Sequence, residues 1–163
     1  MPHTVLVVDD EEAVRKGWEK ALRHAGYHVL TAATAQRALD LCDEHTIDAV
    51  VLDFIMPSVD GVQLLVKIRK RLPFVRSLIV SGKLDTDVTQ ADLSAELKAE
   101  VEADLYLHKP LSNNDLRNAI ESLLKTPPPT DWKAVAKQAS RTRRITAKKA
   151  AGVSKSLKAR KKR

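Results

Sequence analysis

The chain has 163 residues, 44% of them apolar and 30% charged, enough for one ordinary core and at most a small appendage. It has no apolar run near the roughly 18 residues that would span a bilayer. Its single cysteine, Cys42, excludes an internal disulfide, and its five histidines are scattered without zinc spacing.

The net charge of +7 conceals two opposite parts. Residues 126–163 hold thirteen Lys and Arg against one acid, Asp131, and carry +12. The first 125 residues hold fifteen basic and twenty acidic side chains and carry −5. An acidic body with a basic tail points toward nucleic acid or another polyanion. The opening Met1-Pro2-His3-Thr4 has no basic stretch leading into an apolar one, so no secretory signal is expected and the cytoplasm is the expected location.

Val5 to Val8 predicts a short strand that is apolar on both faces, and Asp9-Asp10 follow it directly. Val14, Trp18 and Leu22 repeat at i, i+4, i+8 and predict a packed helix, with Gly26 as its cap. Val29-Leu30 is a weaker strand signal. Ala35, Leu39 and Cys42 form the next helical stripe, in which Cys42 reads as a small core residue. Ala49 to Leu52 predicts another buried strand, ending at Asp53.

Val62, Leu65, Ile68 and Leu72 follow Asp60-Gly61 as a helix that Pro73 stops. Leu78 to Val80 is the third strong strand signal and Ser81 follows it. Leu93, Leu97 and Val101 make a further helical stripe. Leu105 to Leu107 is a weak strand before His108-Lys109-Pro110. Leu116, Ile120, Leu123 and Leu124 close the series, with Ser112 or Asn113 as N-cap. Strand and helix alternate five times, which predicts an α/β fold: a five-stranded parallel sheet, doubly wound by helices. In such sheets function sits at the carboxyl ends of the strands.

Three acids occupy those ends: Asp9, Asp10 and Asp53. Carboxylates that converge repel one another and call for a hard divalent cation such as Mg²⁺. A carboxylate beside Mg²⁺ can attack a phosphoryl group. Ser81 and Lys109 end two more strands, and a hydroxyl and an ammonium would both favour added negative charge at Asp53.

Val7-Val8-Asp9-Asp10-Glu11, Asp53 to Gly61, Ser81-Gly82 and Tyr106 to Pro110 together resemble the receiver (CheY-like, flavodoxin-like) domain of two-component response regulators, over about Thr4 to Lys125. The resemblance implies that Asp53 accepts the phosphoryl group. It implies Mg²⁺ on Asp9, Asp10, Asp53 and the backbone carbonyl of Ile55. Lys109 and Ser81 would hold the phosphoryl group, and Tyr106 would be the aromatic switch. Ile55 and Lys83 match two variable positions that tune dephosphorylation.

The implied partner is a sensor histidine kinase or a histidine phosphotransfer protein, and a dimer formed on phosphorylation is compatible with it. The protein reads as a signalling module rather than an enzyme. Two features depart from the family: Ser81 to Lys109 spans 28 residues, longer than usual, and Glu102-Ala103-Asp104 lacks the glycine often found before the last strand. A phosphatase of the haloacid dehalogenase type would need Asp-x-Asp, whereas Asp9 and Asp10 are adjacent and Ile55 lies two residues after Asp53.

Domain boundaries follow from composition: a receiver over 1–125, a proline-rich linker over 126–130 and a basic tail over 131–163. The tail reads either as a solvated extension or as a small Fis-type helix-turn-helix centred on Ala150 to Ser154. Its candidate nucleic-acid contacts are Arg141, Arg143, Arg144, Lys148, Lys149, Lys155, Lys158, Arg160, Lys161, Lys162 and Arg163.

Overall fold

A computed structural model describes residues 1–82 and 103–127. The described elements are β1 (Thr4–Val8), α1 (Glu12–His24), β2 (His28–Ala32), α2 (Ala35–Glu44), β3 (Ala49–Asp53), α3 (Gly61–Arg71), β4 (Arg76–Ser81), β5 (Leu105–His108) and α4 (Asn113–Lys125). The Leu93, Leu97 and Val101 stripe, Lys83, and the tail with its candidate basic contacts lie outside the described residues.

The five strands form one parallel sheet in the order β2-β1-β3-β4-β5. Strand alternation sorts the core onto two faces. Leu6, Val8, Val50, Leu52 and Ile79 pack against α2 and α3 through Leu39, Cys42, Leu64, Leu65 and Ile68. Val5, Val7, Val51, Leu78 and Val80 pack against α1 and α4 through Trp18, Leu22, Leu116 and Ile120. The three central strands are therefore apolar on both alternations, as their sequences predict. The weak signals at Val29-Leu30 and Leu105 to Leu107 have a common cause: β2 and β5 are the sheet edges and are only half covered. Cys42 is buried, and burial pushes its thiol up to about 11, in keeping with a core role.

The helix starts are written in short polar side chains. Thr34, Asp60 and Ser112 each accept the backbone N–H three residues on, at 3.2, 2.7 and 3.0 Å. Gly26 adopts φ +91° just after α1, where the left-handed turn favours glycine.

A polar knot joins the other end of the sheet. Arg69 and Ser77 are buried. Arg69 Nη2 donates to Ser77 Oγ at 2.9 Å and to Asp104 Oδ2 at 3.3 Å. Asp104 Oδ2 also accepts from Ser77 N and Ser77 Oγ, at 2.7 and 2.8 Å. Asp104 thereby pins the start of β5 to β4 and α3, in the stretch where the family's glycine is missing. Asp104→Ala strips an acceptor from a buried N–H and from a buried guanidinium. It is expected to lower the unfolding free energy by about 3 kcal/mol in urea denaturation.

Candidate functional site

Strand order reverses between β1 and β3, and the crevice beyond their carboxyl ends is where open α/β sheets bind ligands. Asp9 leaves β1 and Asp53 ends β3, so the topology sets their carboxylates at that crevice. Asp9 is fully buried and Asp53 is 5% exposed, whereas Asp10 faces solvent. One carboxylate oxygen from each lies within 4.8 Å of the other two.

Asp9 and Asp53 are each held by their own strand ends. Asp9 Oδ1 accepts the Glu11 N–H at 2.8 Å, and Arg15 Nη1 donates to the Asp9 carbonyl at 2.8 Å. Asp53 Oδ1 accepts the Ile55 N–H at 3.4 Å. The following loop folds tightly back, with Gly61 N–H donating to the Phe54 carbonyl at 2.9 Å.

Lys109 reaches the acids from the neighbouring strand ends. Its N–H donates to the Ser81 carbonyl at 2.8 Å, and the bond to Pro110 is cis. Its Nζ lies 2.7 Å from Asp9 Oδ2 and 3.5 Å from Asp53 Oδ1. The expected pairing with Asp53 is present, but the shorter contact is to Asp9. Asp9 is the more deeply buried charge and has the greater need of a counter-ion.

Burial pushes the Asp53 carboxyl up, and Asp9 and Asp10 add to this. The pull of Lys109 and the Ile55 amide only partly offsets them, so Asp53 titrates above the usual carboxylate range. Burial works against the Lys109 ammonium. The hydrogen bond to Asp9 and the charges of Asp53, Asp9 and Glu11 together outweigh it and hold its pKa above the ordinary lysine value.

Three clustered carboxylates, one of them titrating high, form an all-oxygen donor set under charge stress, and this fits Mg²⁺. Ser81 is buried at the end of β4, one residue beyond Val80, the partner of Asp53 in the sheet. Tyr106 packs on the α2–α3 side of the sheet, and its hydroxyl accepts the Ala103 N–H at 3.2 Å, toward the start of β5 and away from Lys109. His108 is half-buried beside Ser81. Trp18, on the helix that starts beside the acids, is a neighbour of the site, as its place on that first helix leads one to expect: its ring centroid lies 5.5 Å from Lys109 Nζ.

A doubly wound parallel sheet with an acid-lysine cluster at its switch point defines the flavodoxin-like class of signalling domains. Residues 5–121 match the family described as the response regulator receiver domain, and the chain belongs to that family of two-component response regulators.

Over 124 residues the chain is 37% identical to the sensor kinase CckA of Brucella abortus (strain 2308), covering 75% of this chain and 12% of that protein. Over 131 residues it is 34% identical to the response regulator MprA of Mycolicibacterium vanbaalenii, covering 80% of this chain and 54% of MprA. The chain thus spans about half, or much less, of these relatives' length.

Among solved structures it is similar to the response regulator TrrA of Thermotoga maritima in complex with Mg²⁺ and BeF. The TM-score is 0.61 at 28% identity, with 75% of this chain and 99% of that one covered. The family match sets aside the dehalogenase-type phosphatase.

Proposed function

We propose that Asp53 accepts a phosphoryl group from a phosphohistidine on a kinase or phosphotransfer protein and that the resulting acyl phosphate switches an output surface. The observation that carries this reading is the buried Asp53 carboxylate with the Lys109 ammonium 3.5 Å from its Oδ1.

An Asp53 oxygen attacks phosphorus in line, the phosphorus–nitrogen bond of the donor breaks, and the imidazole nitrogen leaves with the electron pair. Lys109 supplies fixed positive charge to the incoming phosphoryl oxygens, and Ser81 supplies a hydroxyl donor. Asp9, Asp10, Asp53 and the Ile55 carbonyl would hold Mg²⁺, which when bound neutralises phosphoryl charge. Tyr106 would turn from its hold on Ala103 as the last strand rearranges. The activity is that of a signalling module, and cytoplasmic residence and the 1–125, 126–130 and 131–163 division belong to the same reading. Incubation with acetyl phosphate and Mg²⁺ tests it: intact mass should rise by one phosphoryl group. A protein that takes up none refutes it.

The Lys109→Ala variant should lose thermal stability without metal, because two buried carboxylates then face each other with no ammonium between them. Mg²⁺ should restore more stability to this variant than to the wild type and should bind it more tightly. Melting curves with and without Mg²⁺ check both expectations.

The charge of residues 126–163 favours a second role, contact with a polyanion such as DNA. If the segment neutralises half a dozen phosphates, affinity for duplex DNA should fall by roughly a thousandfold between 50 and 200 mM salt. Without a recognition helix, DNA sequence should matter little. Absence of any DNA or RNA binding at low salt would leave an acidic protein surface as the partner.

A further inference from the structure

Trp18 is 4% exposed and sits on α1, yet its ring does more than fill the core. The Lys109 ammonium stands 5.5 Å from its centroid, within cation–π range. On another side the lysine stem runs past Gly82, where an added Cβ would come 3.3 Å from Lys109 Cδ and 3.6 Å from its Cβ. The side chain thus lies in a slot walled by an indole and a bare backbone, and the slot opens on Asp9 at 2.7 Å and Asp53 at 3.5 Å.

The two carboxylates compete for one ammonium, and Asp9 has the shorter contact. A cation drawn to Asp9 weakens that hold, while a phosphoryl group on Asp53 needs the ammonium for itself. The attraction of the indole face depends on neither carboxylate. A leucine could fill the same space, but only an aromatic ring attracts the charge.

We propose that Trp18 is a positioning residue that keeps the Lys109 ammonium in place as it passes from Asp9 to the phosphoryl group on Asp53. This rests on the reading of Asp53 as phosphoacceptor.

The test is calorimetric titration of beryllofluoride, in saturating Mg²⁺, into the full-length wild type, Trp18→Leu, Trp18→Phe, Lys109→Ala and the two Trp18 variants combined with Lys109→Ala. Trp18→Leu should bind about fivefold more weakly than wild type, and Trp18→Phe should fall between. Neither substitution should weaken binding further once Lys109 is alanine. The Lys109 ε-methylene protons, shifted by the indole ring current in the wild type, should move toward ordinary lysine values in Trp18→Leu. If Trp18→Leu fails to fold, Trp18→Phe alone should show a roughly twofold loss that vanishes in the Lys109→Ala background. Wild-type affinity in a folded Trp18→Leu, or an equal loss with and without Lys109, overturns the role of Trp18 alone. A wild-type protein that takes no beryllofluoride overturns the Asp53 reading and this one with it.

Discussion

Asp53→Asn is expected to take up no phosphoryl group from acetyl phosphate under conditions that label the wild type, as read by intact mass. The amide has no anionic oxygen to attack phosphorus, and neither Asp9 nor Asp10 can replace it. Asp9 is fully buried and committed to Lys109 and the Glu11 amide, while Asp10 stands in solvent with no ion pair to an ammonium among the described residues. Labelling of the variant at the wild-type level would sink the assignment.

The same substitution should stabilise the metal-free protein at neutral pH. Burial, then Asp9 and Asp10, raise the Asp53 pKa against the pull of Lys109. A carboxyl whose folded pKa is raised penalises the fold once it ionises. That cost is absent below the ordinary aspartate range and fully present above the raised pKa. Asparagine escapes it, so Asp53→Asn should be more stable than the wild type near pH 7. The gain should shrink away as the pH falls below about 4. Urea denaturation across that range measures it, and a gain that grows toward acid pH would contradict the sign.

Gly61→Ala should be the most damaging single-methyl change in the described chain. A Cβ at Gly61 would sit 2.5 Å from the Asp53 carbonyl oxygen, 3.1 Å from Phe54 Cα and 3.2 Å from the Asp53 carbonyl carbon. All three atoms are backbone, so no rotamer change relieves the overlap. The loop from β3 to α3 must open, breaking the Gly61 N–H bond to Phe54 and tilting the residue that carries the nucleophile. A loss of about 2–4 kcal/mol is expected, with slower phosphoryl uptake. Gly17 provides the contrast: nothing lies within 4 Å of its Cβ position, and it sits inside α1. Gly17→Ala should therefore stabilise the protein by about 0.5–1 kcal/mol. Equal effects from the two substitutions would show that the close approach at Gly61 does not matter.

The acids were legible because chain order alone carries them to the site. A strand buried on both faces must be apolar, so the first polar residues after it mark its end, and parallel strands bring those ends together. Gly61 was legible as part of a motif, though its reason, the backbone of Asp53, needed coordinates. The preference of Lys109 for Asp9 could not be read, because it depends on tenths of an ångström across 100 residues of chain. Arg69 falls four residues after Leu65 on the apolar face of α3, and Ser77 interrupts an apolar strand. Both were visible misfits, but only folding reveals that Asp104 joins them. The edge strands were faint because half-covered strands need less apolar sequence. The tail remains a statement about charge.

Arg76 opens β4, and its Nη2 donates to the Thr126 carbonyl at 3.0 Å, just past the end of α4. The bond ties Thr126 to the amino ends of the strands. The acid pocket lies at their carboxyl ends, roughly 16 Å away along a five-residue strand. The acid pocket and the Arg76–Thr126 bond thus stand at opposite poles of the sheet, joined through the length of β4.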